Sequence, residues 1–224
     1  GMLSVSHLSK RFGGVKSVND CSFDVKPATI TALIGPNGSG KTTNFNLISG
    51  LLKPDSGSIE FQGKELAGLL PDQIANAGIS RVFQQSRLFP NLTVEENLLL
   101  PQNNEDQKFW KNLVGKNKVT DGQKKSVQEK LQTVGLPDVR HRLGRELSFG
   151  QKRLVELARA LIKPHQLLML DEPVAGVTPK LREDIAELLE KLRKQKETVL
   201  LIEHDMPFTL KIADRVIVLD EGKV

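Results

Sequence analysis

The chain has 224 residues, 38% of them hydrophobic and 26% charged, an ordinary globular balance that supports one core or one core with a small lobe. No apolar run approaches the ~20 residues of a membrane helix, so the chain is not expected to span a bilayer alone, and the lone Cys21 excludes an internal disulfide and any cysteine-based metal spacing. A net charge of +5, scattered and without aromatic interleaving, reads as solvated helix faces and speaks against a nucleic-acid surface.

Gly1 ahead of Met2 reads as a cloning scar, and no basic segment followed by an apolar stretch marks a signal peptide, so export is not expected. Residues 3–5, 22–25 and 58–61 read as short strands separated by glycine and proline turns, an antiparallel lobe in which Cys21 is a small apolar filler. From residue 30 onward, short apolar runs alternate with helical patterns, which predicts the α/β class with a mostly parallel sheet. Residues 29–34, 167–170 and 198–202 are its buried strands. Between them, residues 88–146 lose the strand signal. Helices are expected at 94–100, 127–134 and 147–162, with a polar, Lys- and Asn-rich loop at 102–125. Leu181, Ile185, Leu188, Leu189 and Leu192 recur at helical spacing and predict a core-packing helix.

Open α/β sheets bind ligands beyond the carboxyl ends of their strands, so the polar groups after Ile34, Leu170 and Ile202 should converge. The first of these is Gly35-Pro36-Asn37-Gly38-Ser39-Gly40-Lys41-Thr42, a match to G-x-x-x-x-G-K-[ST] lying between a predicted strand and a predicted helix. Its glycines let backbone amides wrap a phosphate without Cβ clashes. The helix N-terminus adds positive potential, Lys41 reaches the β and γ phosphates, and the Thr42 hydroxyl ligates Mg²⁺. The second is Asp171-Glu172-Pro173, where Asp171 is placed to hold the Mg²⁺ shell and Glu172 to polarise the attacking water as general base. MgATP is thus the expected ligand pair. A GTPase should carry an Asn-Lys-x-Asp motif, which is missing here, and a scaffold without turnover would be expected to lose Lys41, Glu172 or His204.

Leu147-Ser148-Phe149-Gly150-Gln151, just ahead of Ala158-Arg159-Ala160-Leu161, could be no more than a helix cap and turn. In the order phosphate loop, this segment, Asp171-Glu172 and then His204, it resembles the signature of ATP-binding cassette (ABC) transporter ATPases, and the resemblance covers essentially the whole chain. It implies a P-loop NTPase (RecA-like) core. Residues 1–87 and 163–224 would form the β lobe and core, and 88–162 an inserted helical subdomain. It also implies that Phe12 stacks on adenine, that Thr43 completes the nucleotide site, and that Gln84 touches Mg²⁺ and faces the membrane partner. His204 is implied to meet the γ-phosphate. Ser148, Gly150 and Gln151 would close on ATP held by a second ATPase subunit in a head-to-tail homo- or heterodimer.

The same resemblance implies a peripheral protein on the cytoplasmic side of the membrane, working with separate integral permease chains and an extracytoplasmic solute-binding protein, and not with nucleic acid. Phe12-Gly13-Gly14-Val15, the string from Arg87 to Asn97, and Asp171-Glu172-Pro173-Val174-Ala175-Gly176 look most like the branched-chain amino-acid importers. Urea importers and lipopolysaccharide exporters are similar alternatives, and a non-transport cassette protein is a more distant one. Three departures from the wider pattern stand out. Phe149 replaces the first signature glycine, Thr178 stands where an aspartate is common, and the chain stops at Val224, earlier than relatives do, as a truncated chain would.

Overall fold

The computed structural model describes residues 1–100 and 119–224 and divides into two compact units, residues 1–84 with 165–224, and residues 85–164. The first unit holds two sheets. In the antiparallel one, β1 (Leu3–Phe12) pairs with β2 (Val15–Val25) across the Gly13-Gly14 turn and, on its other side, with β4 (Ser56–Phe61), which is edged by β5 (Lys64–Glu65). β1 and β2 run far beyond the short stretches that alternation predicts. The register of β1 shifts between Val5 and Leu8, where His7 adopts a φ of 50°, so Leu8 returns to the buried face out of step with Leu3 and Val5. A bulge of this kind breaks the period-2 pattern on which strand reading depends. Cys21 is fully buried, as an apolar filler would be, and burial pushes its thiol up to about 11.

The second sheet is parallel throughout, in the order β6-β7-β8-β3-β9. β3 (Ile30–Ile34), β7 (Leu167–Asp171) and β8 (Val199–Ile202) are buried at every position, which is why they read as uninterrupted apolar runs. β6 (Ile79–Val82) and β9 (Arg215–Val218) do not stand out in the sequence, because Ser80 and Arg81 interrupt the first and the second is a half-exposed edge strand. The α/β expectation therefore holds, with two more strands in the parallel sheet than were read. Leu3, Phe23 and Phe61 of one sheet share a single apolar cluster with Leu33, Met169 and Leu200 of the other and with Phe45 and Ile48 of α1 (Lys41–Ile48). α2 (Pro71–Asn76) precedes β6.

In the second unit, α3 (Val94–Leu99) and α4 (Asp121–Thr133) both start on capping boxes, in which Thr93 pairs with Glu96 and Thr120 with Gln123. The expected 102–125 loop is thereby corrected at its end. The Thr120 hydroxyl accepts the Gln123 amide at 3.1 Å, which starts the helix at Asp121, and Val127 and Leu131 one turn apart bury its apolar face. Residues 102–118 of that loop lie outside the described residues. α5 (Phe149–Ile162) carries a buried ion pair, Glu156 with Arg159 at 2.7 Å, and Glu156 also accepts the Arg87 amide at 2.8 Å.

α6 (Pro179–Lys194) returns to the first unit. Thr178 caps it, Pro179 supplies a pre-set first turn, and Lys191, Arg193 and Lys194 complement its C-terminal dipole. Ile185, Leu188, Leu189 and Leu192 are buried, as a core-packing helix requires, and α7 (Met206–Ile212) follows β8. Among the described residues, no helix is long and apolar enough to cross a membrane.

Candidate functional site

Parallel pairing puts the carboxyl ends of β6, β7, β8 and β3 on one edge of the sheet, and there the polar segments expected to converge leave it. Val82 pairs with Leu170, Asp171 with Ile202, and Leu33 with Ile202. β3 opens directly into the phosphate loop, and Gly40 hands the chain to α1 with a φ of 100° and no capping side chain. The amides of the first helical turn are therefore not claimed by a cap, and no acidic residue sits in that turn. Such a helix start attracts anions. Lys41 bends back over the loop, its Nζ donating to the Gly35 carbonyl at 2.5 Å, while the buried Ser39 Oγ has no hydrogen-bond partner among the described residues. Pro36, Asn37 and Gly38 form the exposed crest and Thr42 faces solvent.

The loop rests on a wall of backbone. A Cβ added to Gly40 would stand 2.5 Å from the Ser17 carbonyl of β2. From the other side, the Gly222 amide donates to the Ser39 carbonyl at 3.0 Å, and the Gly222 carbonyl accepts the Asn19 amide at 2.9 Å. Ser17 Oγ lies 2.8 Å from Thr43 Oγ1 in a further tie to α1. Gly222 has a φ of 83°, and a Cβ there would meet the Ser17 carbonyl at 2.8 Å. Gly222→Ala is expected to cost about 1–2 kcal/mol from the left-handed backbone alone, and because the wall carries the loop, ATP affinity should fall as well. Titration with a fluorescent ATP analogue checks this, an unchanged affinity meaning that the wall does not shape the loop.

At the end of β7, Asp171 lies 3.5 Å from Arg81 Nη2, and Arg81 also donates to Asn46 Oδ1 at 2.7 Å and Ser49 Oγ at 2.8 Å on α1 and its C-cap. Its guanidinium covers the Phe83 ring at 4.2 Å. Arg81 escaped the sequence reading, although a lone arginine within the short apolar run Ile79-Ser80-Arg81-Val82 was a signal of a buried charge needing a partner. Glu172 follows with a φ of 48°, a region few non-glycine residues occupy. Its carboxylate is mostly buried, and the exposed His204 imidazole, from the segment after β8, donates from Nδ1 to Oε1 at 2.7 Å. Two residues 32 apart in sequence are thus joined directly.

The remaining candidates are distributed as follows. Phe12 ends β1 with 47% of its surface exposed, so it is no core phenylalanine, and Lys10 Nζ sits 5.7 Å from its ring. Gln84 is exposed two residues after β6. Ser148, Gly150 and Gln151 lie in the second unit, where the Ser148 hydroxyl accepts the Gln151 amide at 3.2 Å and Gln151 Oε1 accepts the Ser148 amide at 3.0 Å. They do form the helix cap that was the simpler reading of the segment. Phe149 is exposed beside them, with the Arg153 guanidinium 5.3 Å from its ring. Among the described residues no group of three His, Cys, Asp or Glu side chains is placed to hold a metal. A carboxylate, a hydroxyl and an amide oxygen, from Asp171, Thr42 and Gln84, suit a Mg²⁺ ion that takes its other ligands from water and phosphate.

Comparison with known proteins gives a family match, two similar relatives and two similar solved structures. The family model described as ABC transporter matches residues 18–175. The chain is 39% identical over 226 aligned residues to the high-affinity branched-chain amino acid transport ATP-binding protein LivG of Escherichia coli (strain K12), covering 99% of this chain and 89% of that one. It is 38% identical, with the same coverage, to BraF of Pseudomonas aeruginosa, which has the same description. Its structure is similar, with a TM-score of 0.89, 32% identity and 99% and 88% coverage of the two chains, to the ADP conformation of an ATP-binding cassette of an ABC transporter. It is also similar, with a TM-score of 0.83, 27% identity and 100% and 96% coverage, to a dimeric cassette in a post-hydrolysis state bound to ADP and phosphate.

Proposed function

From the premise that this chain belongs to the ABC transporter family, whose ATP-hydrolysing subunits share its fold, we propose that it powers the import of branched-chain amino acids through separate permease chains. The substrate class is carried by one observation, the 38–39% identity to LivG and BraF along 99% of the chain. In this reading ATP lies on the loop of Gly35, Pro36, Asn37, Gly38, Ser39, Gly40, Lys41, Thr42 and Thr43, with adenine on Phe12. The uncapped amides of α1 and the Lys41 ammonium, released from the Gly35 carbonyl, take the phosphates. Thr42, Asp171 and Gln84 would hold Mg²⁺, which when bound offsets the charge of the β and γ phosphates.

Glu172 accepts the proton of the attacking water, and His204 fixes the carboxylate that does so. Ser148, Gly150 and Gln151 of a second subunit complete each site, so ATP holds two cassettes together and hydrolysis releases them. Dimeric cassettes among the structural relatives support this part of the reading. The chain would then sit on the cytoplasmic face of the membrane, with Gln84 toward the permease and a solute-binding protein delivering substrate from the other side.

The test is transport by the chain's own assembly. A tagged copy isolated from its native membrane with its permease and reconstituted into vesicles should take up leucine, isoleucine and valine only with ATP inside the cassette compartment. ATP-driven uptake of spermidine or urea, or extraction of lipopolysaccharide, in place of leucine uptake would overturn the substrate class and leave the ATPase reading standing.

A further inference from the structure

Glu203, between β8 and His204, has no place in the chemistry above, yet its side chain is almost wholly excluded from solvent. The residue is 0% exposed. Its Oε1 accepts the amide of His204 at 3.0 Å and that of Asp205 at 3.3 Å, so the carboxylate folds back onto the turn that follows it. Oε2 is buried with no hydrogen-bond partner, and no lysine or arginine forms an ion pair with the group among the described residues. The catalytic candidates lie beside it, with His204 Nδ1 at 3.8 Å from Oε1 and bonded in turn to Glu172.

A buried carboxylate of this kind is a poor structural device, since a small hydroxyl or amide side chain could take the same amides without desolvating a charge. Burial pushes the Glu203 carboxyl above its ordinary value, helped by the Glu172 carboxylate, while the two amides and the His204 imidazole pull it down. What the group gains is reach. From the last position before the turn, its long side chain closes a ring over the backbone of His204 and Asp205, and Asp205 in turn caps α7 through the Phe208 amide at 3.0 Å. The imidazole is thus fixed by its own backbone on one side and by Glu172 on the other.

We propose that Glu203 is a positioning residue for the hydrolytic step, holding the His204 backbone through the two amides it accepts so that His204 can orient Glu172. The inference rests on the ATPase reading of this site. Two substitutions separate reach from charge. Glu203→Gln keeps the length and the acceptor oxygen, and puts its NH₂ where Oε2 already lacks a partner. Glu203→Asp keeps the charge and shortens the reach by one methylene.

The experiment measures kcat for ATP hydrolysis, the ATP dissociation constant and the melting temperature of both variants in the full chain, together with hydrogen exchange at the His204 and Asp205 amides. Expected are near wild-type kcat and protected amides for Glu203→Gln. For Glu203→Asp, kcat should fall roughly ten- to a hundredfold, with faster exchange at both amides and ATP affinity unchanged. An active Asp variant with an inactive Gln variant would overturn the proposal in favour of a charge effect, and equal activity or equal loss in both would overturn it outright. The assays are run on the chain assembled with its own partner chains, and a wild-type assembly that fails to hydrolyse ATP would instead sink the ATPase reading itself, so the two failures are distinguishable.

Discussion

Glu172→Gln should bind MgATP with wild-type affinity and hydrolyse it at least about a hundredfold more slowly, the usual loss when a general base is removed. The carboxylate takes a direct contact from His204 Nδ1, on a backbone turned to a φ of 48°. Glutamine keeps the size of the group and an oxygen that can accept from Nδ1, so the turn and the His204 contact should survive while basicity is lost. Trapped ATP should then reveal the second half of the reading. Light scattering on this variant should give a monomer without nucleotide and twice that mass with MgATP, if Ser148, Gly150 and Gln151 of one copy close on the phosphate loop of another. Hydrolysis at the normal rate would remove Glu172 from the mechanism. An ATP-bound monomer would mean that the completing subunit is a different cassette or that the permease is required.

Lys41→Ala should weaken ATP binding by about 3 kcal/mol, roughly a hundredfold, the scale of a charge-assisted hydrogen bond lost at a mostly buried site. Lys41 is 6% exposed, and its ammonium donates to the Gly35 carbonyl at 2.5 Å. Alanine is a better helix former than lysine at the first position of α1, so the fold should not suffer. Isothermal titration with MgATP, set beside the thermal melting curve, separates the two effects. Loss of binding with an unchanged melting curve is the expected pair of results. Retained affinity would mean that the α1 amides alone hold the phosphates.

The sequence by itself determined the α/β class, three of the five parallel strands, the core-facing helix at Ile185 to Leu192, and the place of the Gly35 to Thr42 loop between a strand and a helix. These features are local. A strand buried on both faces must be apolar at every position, and a loop wrapping phosphate must set its glycines, lysine and hydroxyl at fixed offsets along the chain. Capping is local too, although the box that starts α4 at Asp121 was hidden within a run of polar residues.

What only the tertiary structure decided is how distant segments answer one another. Strand order β6-β7-β8-β3-β9 brings Arg81 to Asp171 across 90 residues, and Glu172 to His204 across 32. Inter-strand hydrogen bonds join backbone groups that are the same in every residue, so no side-chain pattern declares which strand will lie beside which. The support of the loop by Ser17 and Gly222, the bulge that stretched β1 past Val5, and the fold-back of Glu203 onto His204 follow from that same packing. Each is set by a close approach of backbone or by the exclusion of water from a charge, and neither condition exists until the sheets have come together.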